Sequence, residues 1–214
     1  MPDFSDSLRS FFTDENRPLA AQAVADYFAQ SGGRFTGSQF EKMVDGTHPH
    51  EITERDLVAV TTLSVSIPAR PALWILSDAG RQAIGPVLEQ VSTYADIWNE
   101  EAEELLAPSG PLWRLWDLLG QAHWPEPRLG GGLGGLTKRS KLLAAKRPGL
   151  VPILDKRVRR LLPKSEDYWA DFRAAFCDES LRADVEAATT GAPDGVSLLR
   201  RADVVLWMAA QRSS

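Results

Sequence analysis

The chain has 214 residues, a net charge of −5 and 43% hydrophobic residues, with seven Trp and eight Phe. That is enough apolar matter for a real core, and it excludes a mostly disordered chain. Its single cysteine, Cys177, excludes an internal disulfide, a thiolate metal cage and an iron–sulfur cluster.

The N-terminal MPDFSDSLRSFFTDE lacks the basic start and long apolar core of a signal peptide. The longest apolar run, VVLWMAA near the C-terminus, is about a third of a bilayer span. The reading is a soluble cytoplasmic protein with no membrane partner. In chain order, Asn16 with Pro18 opens a helix that Gly32 and Gly33 close. Thr53-Glu54-Arg55-Asp56 resembles a capping box ahead of LVAVTTLSVSI, which ends at Pro68. That run is β-branched and partly alternating, so a buried strand competes with helix; helix is preferred because no nearby segment offers a pairing strand.

Pro86 and Pro108 punctuate two further helices between about 70 and 106, with DIWNEEAEE as a solvated helix face. Ser109-Gly110-Pro111 starts a short Trp-rich helix, LWRLWDLLG, and AHWPEPRLGGGLGG is loop. TKRSKLLAAK reads as a helix ended by Arg147-Pro148-Gly149, and DKRVRRLL as another. Ser165 caps YWADFRAAFC, whose aromatics at 168, 172 and 176 share a face on which Cys177 is read as a small buried hydrophobe. Two closing helices follow, separated by TTGAPDG, with Trp207 in the last.

Charge is unevenly distributed. From Arg128 to Lys164 stand eleven Lys/Arg against one acid, Asp155, so the remainder is strongly acidic. Two readings compete: solvated faces of amphipathic helices, or one cationic surface for nucleic-acid backbone. In the second reading Lys138, Arg139 and Lys141 project near the glycine run, Lys156, Arg159 and Arg160 face away from a Val158/Leu161/Leu162 stripe, and Leu142 and Leu143 point inward. The run itself, LGGGLGG, is either a slack surface loop or a phosphate-binding turn whose glycines reach positive φ beside a helix N-terminus. Asp155, directly before KRVRRLL, is an ordinary N-cap, a positioned catalytic carboxylate, or both. His48-Pro49-His50 reads as a surface turn, so no metal site is assigned, and no P-loop, nucleophile elbow or dinucleotide fingerprint is present.

Two segments carry a family resemblance. Gly132-Leu133-Gly134-Gly135-Leu136-Thr137 resembles the Gly-hydrophobic-Gly-x-x-Thr start of the hairpin in helix-hairpin-helix DNA glycosylases. Ile153-Leu154-Asp155-Lys156-Arg157-Val158-Arg159-Arg160-Leu161 is similar to the x-V-D-T-H-V-x-R-V segment that follows it in that family. LVAVTTLSVSIPARPALWIL is similar to an early helix of the family, so the likeness covers residues 56 to 161. The chain also resembles an uncharacterised bacterial family with a T-x-x-S-K-L-L-A-x-K-R-P-x-L-[IV]-P-[IV]-x-D run, a likeness that supplies no chemistry.

The glycosylase resemblance implies an all-α, two-lobed fold, with a hairpin lobe over 53–150 and a second lobe from 1–52 plus 151–214. It implies DNA as partner, a flipped base, and Asp155 as the group that stabilises an oxocarbenium-like sugar. It implies Gly132, Gly134, Thr137, Lys138, Lys141, Lys156 and Arg159 as nucleic-acid-binding residues, and no cofactor. Leu136 stands where bifunctional members keep a catalytic Lys, and Arg157 where they keep His, so a monofunctional hydrolase is implied. A catalytically inactive interaction module and an unrelated small-molecule enzyme using the cleft are the alternatives.

Overall fold

The computed structural model describes residues 3–29 and 34–212. Among these the fold is all-α, with no strand. α1 (Phe4–Arg9) is capped by Asp3, whose carboxylate accepts the Asp6 N–H at 2.7 Å. α2 (Arg17–Phe28) starts at Asn16 with Pro18 in its first turn and ends before Ala29; Gly32 and Gly33 lie outside the described residues. A 3-10 turn (Thr36–Gln39) leads into the short α3 (Phe40–Met43). α4 (Glu54–Thr62) begins at the expected capping box, with Asp56 accepting the Thr53 N–H at 2.9 Å. The run is helix and not strand, but it stops at Thr62 and turns at Ser64, a non-glycine residue at φ +61°.

α5 (Ala69–Leu76) and α6 (Asp78–Leu88) follow. Pro86 lies inside α6 and does not end it; it forfeits its own bond to the residue four earlier, and the pattern resumes with the Glu89 N–H on the Gly85 carbonyl at 2.9 Å. The acidic 96–104 stretch is mostly turn, with helix only in α7 (Ala102–Leu106). α8 (Pro111–Gln121) and α9 (Leu136–Lys146) form as expected on either side of the glycine loop. DKRVRRLL corrects the reading: only Val158–Arg160 coil, as a 3-10 turn. The segment is bounded by Pro152 and Pro163, and a residue before proline disfavours α geometry.

α10 (Tyr168–Cys177) is capped by Asp167 rather than Ser165: its carboxylate accepts the Trp169 and Ala170 N–H groups at 3.0 and 3.1 Å. α11 (Glu179–Ala188) and α12 (Leu198–Arg212) close the chain. Cys177 is exposed, because the buried face of α10 is set by Phe172 and Phe176 and the next helix starts at Glu179. Among the described residues no helix is long and apolar enough to cross a membrane, and no group of three His, Cys, Asp or Glu could hold a metal ion.

The N- and C-terminal helices pack together: α2 lies on α12, α1 on α10, and α11 on both α2 and α12. α9 runs between α4 and α8, and every residue from Ser140 to Arg147 is buried. One contiguous apolar cluster joins Phe12, Val24, Ile84, Leu119, Leu143, Phe176 and Leu206. Placing α9 centrally has a consequence for its bases. Its middle, SKLLAAKR, has no side facing water, so Lys141, Lys146 and Arg147 must find partners inside. Lys146 Nζ pairs with Asp56 at 2.9 Å. Arg147 donates to the carbonyls of Val91, Leu88 and Pro49 at 2.8, 2.6 and 2.9 Å.

Candidate functional site

The T-x-x-S-K pattern of α9 builds the site. Thr137 and Ser140 lie on one helix face at i, i+3, and both hold the peptide of Leu154. Thr137 Oγ1 donates to the Leu154 carbonyl at 3.0 Å, and Ser140 Oγ accepts the Leu154 N–H at 3.1 Å. Leu154 is thus fixed from both sides, and the next residue, Asp155, is presented to Lys141 one turn further along α9. Lys141 Nζ donates to Asp155 Oδ2 at 2.9 Å and to the Leu63 carbonyl at 2.8 Å. Asp155 Oδ1 accepts the Arg157 N–H at 2.9 Å, at the residue that precedes the 3-10 turn. Both side chains are largely withdrawn from water, at 5% exposure for Lys141 and 15% for Asp155. Burial works to raise the Asp155 carboxyl, but the Arg157 N–H and the Lys141 ammonium outweigh it and hold the group below the ordinary carboxylate range.

The pair lies on the wall of a cleft of about 150 Å³. α2 contributes Tyr27, the segment before α3 contributes Arg34 to Gly37, the strained turn after α4 contributes Ser64, and α12 contributes Arg200, Asp203 and Trp207. Three rings line one side: Phe35 stacks on Tyr27 at 5.6 Å, and Trp207 meets both edge-on at 5.9 and 5.4 Å. A non-glycine residue at positive φ in the cleft wall, held by the Lys141 bond to its neighbour's carbonyl, is backbone strain placed at the site.

Behind the rings is a second ionic group. Arg200 donates to Glu41 at 2.8 Å, to the Tyr27 hydroxyl at 2.7 Å and to Asp203 Oδ2. Asp203 Oδ1 is buried and without a hydrogen-bond partner. Burial outweighs the Arg200 guanidinium and pushes the Asp203 carboxyl up to about 6. A raised folded-state value makes the acid's contribution to stability complete below about pH 4, the unfolded value, and lost as pH rises through about 6. We therefore expect the native protein to lose stability relative to Asp203→Asn between about pH 4 and 7, read by urea unfolding at the two pH values. An unchanged difference across that range would contradict the raised value.

The other sequence-assigned residues fall as follows. Positive φ belongs to Gly130 and Gly135, not to Gly132 or Gly134. Gly132 is required by close approach: a Cβ there would lie 2.4 Å from the Leu119 carbonyl oxygen. The Gly132 and Leu133 N–H groups donate to the Gly120 and Leu119 carbonyls at 3.1 and 2.8 Å, so the loop finishes the C-terminus of α8 instead of offering those donors outward. Gly135 is the N-cap of α9.

Lys141 turns inward as the Asp155 counter-ion, and the Thr137 hydroxyl is engaged inside the fold. Arg139 lies over the Trp116 ring at 4.5 Å. Arg159 is half-buried, with Nε lacking a partner. Lys156, Arg157 and Arg160 are exposed, and Lys138 is half-exposed at the α9 N-terminus. Tyr27, Phe35, Arg200, Asp203 and Trp207 were not marked by the sequence reading. The one local signal was the RRAD pattern, which puts Arg200 and Asp203 at i, i+3 on one helix face.

No curated protein and no solved structure matches the chain. A family model does, over residues 20–210, which runs from within α2 to within α12 and includes every residue of the cleft wall. The chain belongs to that family, a family of unknown function (DUF6308).

Proposed function

We propose that this chain is a nucleic-acid-binding protein that receives a single flipped nucleotide at Asp155 and hydrolyses its N-glycosidic bond, as a monofunctional glycosylase-like enzyme without a lyase step. The observation that carries the reading is an ionised carboxylate, held by Lys141 and the Arg157 N–H and anchored through Leu154 to Thr137 and Ser140, on the wall of a small ring-lined cleft. At about 150 Å³ the cleft is below the ~300–1,000 Å³ of drug-sized ligand pockets, which suits one ring system rather than a large cofactor.

As the C1′–N bond breaks, its electron pair leaves with the base and positive charge develops at C1′. Asp155 offsets that charge; water then adds at C1′, and the proton it loses ends on the departing base anion. A carboxylate held below its usual range is a weak proton acceptor, so its contribution is electrostatic and positional. Lys141 fixes its direction, and with two of its three N–H donors used it keeps one for a leaving-group atom.

Backbone contact falls to Lys138, at the N-terminus of α9, and to Lys156, Arg157 and Arg160 beside Asp155, bases of this region that reach water. Four phosphate contacts give a slope of about −4 in log affinity against log salt on duplex DNA. A titration at several salt concentrations measures it, and absence of binding at low salt would contradict the nucleic-acid part of the reading. A second reading, a small-molecule enzyme using the same cleft, is favoured by the inward turn of Lys141, Lys146 and Arg147, which leaves less cationic surface than the sequence promises. Cleavage of a free nucleoside in the absence of any duplex binding would select it.

A further inference from the structure

The cleft beside Asp155 carries more positive charge than its acids answer. Its charged wall residues are Arg34, Lys141, Asp155, Arg200 and Asp203. Lys141 is engaged by Asp155 at 2.9 Å, and Arg200 by Asp203 and, at 2.8 Å, by Glu41. Arg34 is the remainder. It is exposed, and among the described residues it makes no ion pair and no hydrogen bond. Its guanidinium carbon lies 5.3 Å from the centroid of Phe35, one of the rings of the cleft wall.

A second polar group of this wall is also unengaged. Ser64 is exposed and lines the cleft, and among the described residues its hydroxyl has no hydrogen-bond partner. The two segments are tied together, because Thr36 Oγ1 donates to the Thr62 carbonyl at 2.6 Å. That bond sets Arg34, just before Thr36, and Ser64, just after Thr62, on adjoining stretches of one wall. The Lys141 bond to the Leu63 carbonyl holds the same turn from the side of Asp155.

A lone exposed arginine is ordinarily just solvated. Here it shares a cleft of about 150 Å³ with the carboxylate that faces the sugar, so an anion on Arg34 and a sugar at Asp155 belong to one small unit. A phosphate on the sugar meets that requirement. It offers several acceptor oxygens, and the guanidinium fork matches them with parallel N–H bonds while a hydroxyl adds a further donor.

We propose that Arg34 and Ser64 form the phosphate anchor of this cleft, so that it takes a nucleoside bearing a phosphate on its sugar in preference to a free nucleoside or base. The proposal rests on the reading of Asp155 as facing a sugar. The phosphate belongs either to a free nucleotide or to the flipped residue of a strand, and both present the same chemistry to Arg34.

The test titrates the full chain, at one salt concentration, with the common nucleoside 5′- and 3′-monophosphates and their parent nucleosides. Calorimetry is the first readout and tryptophan fluorescence the second, since Trp207 lines the cleft. At least one monophosphate should bind about tenfold or more tighter than its nucleoside, as for hydrogen bonds to a charged group. Arg34→Gln should remove that preference. Ser64→Gly, which deletes the hydroxyl and relaxes a backbone at φ +61°, should weaken it several-fold. A parallel arm uses a duplex with one tetrahydrofuran abasic nucleotide, each flanking phosphate replaced in turn by a neutral methylphosphonate. If the phosphate is a strand's, one replacement costs the native protein about tenfold in affinity and Arg34→Gln nothing. A preference confined to the free monophosphates assigns the anchor to a free nucleotide. No preference in either arm, or one that Arg34→Gln keeps, would overturn the proposal. Asp155→Asn should keep the phosphate preference while losing cleavage, so failure of the anchor is distinct from failure of the Asp155 chemistry.

Discussion

Replacing Lys146 by Met is expected to lower the unfolding free energy by about 3–5 kcal/mol, the cost of leaving one partner of a buried ion pair alone. Lys146 Nζ lies 2.9 Å from Asp56 Oδ2 and donates to the Asp45 carbonyl at 3.1 Å, and the two charged side chains are 1% and 0% exposed. Asp56 carries more than the pair. It accepts the Thr53 N–H that starts α4 and the Asp45 N–H at 3.0 Å, so it joins α4, α9 and the chain after α3. Without Lys146 its charge remains, held by those two N–H groups and the Thr53 hydroxyl at 3.3 Å, none of them charged. The Met stem fills the volume of the Lys stem, so the loss is electrostatic and not a cavity effect. Urea unfolding measures it, with the midpoint falling and the slope unchanged. A loss under about 1 kcal/mol would mean that water reaches the pair. Substituting Asp56→Leu in the Lys146→Met background is expected to recover part of the stability, minus about 1 kcal/mol for the lost cap.

The second large effect is on chemistry. Asp155→Asn should reduce single-turnover cleavage by about 10²–10³, the scale for removing one preorganised electrostatic group, while duplex affinity changes little. Asn keeps the shape and one acceptor for Lys141 or the Arg157 N–H, but not the charge that opposes a cationic sugar. The pH profile carries the same logic. Because the Asp155 carboxyl is held below its ordinary range, activity should be flat through neutral pH and fall only in acid, as the carboxylate takes up a proton. The fold responds in the same direction: a depressed value stabilises above the unfolded value near pH 4 and ceases to do so as pH falls through the folded one. Full activity in Asp155→Asn would remove the residue from the mechanism.

Much of the helical order was legible because its signals are local. Pro at the start of α2, the capping box of α4, Gly110-Pro111 before α8 and Arg147-Pro148-Gly149 after α9 each mark a boundary through the backbone itself. What was not legible depends on neighbours far along the chain. Lys141, Lys146 and Arg147 look like a solvated face until α9 is placed between α4 and α8; their partners are Asp155, Asp56 and the carbonyls around α6. The composition held a clue. SKLLAAKR has no acid and a nearly all-round apolar middle, which marks a helix buried on every side. DKRVRRLL reads as helix by periodicity, but prolines on both sides leave it one turn. The ring wall of the cleft joins α2, the segment before α3 and α12, so no single window of sequence could reveal it.

The Asp155 residue is the part of the site that sequence located, and the structure supplied its mooring in Thr137, Ser140 and Lys141. The central claim is that this moored carboxylate faces a sugar that becomes cationic. The most direct measurement is the affinity for a duplex carrying one pyrrolidine abasic nucleotide, a stable positive charge at the sugar position, against the same duplex with a neutral tetrahydrofuran there. Preference for the charged duplex by about 100-fold or more is predicted, as for a mimic of the transition state, and Asp155→Asn should abolish it. Equal affinity for the two duplexes in the native protein would contradict the account.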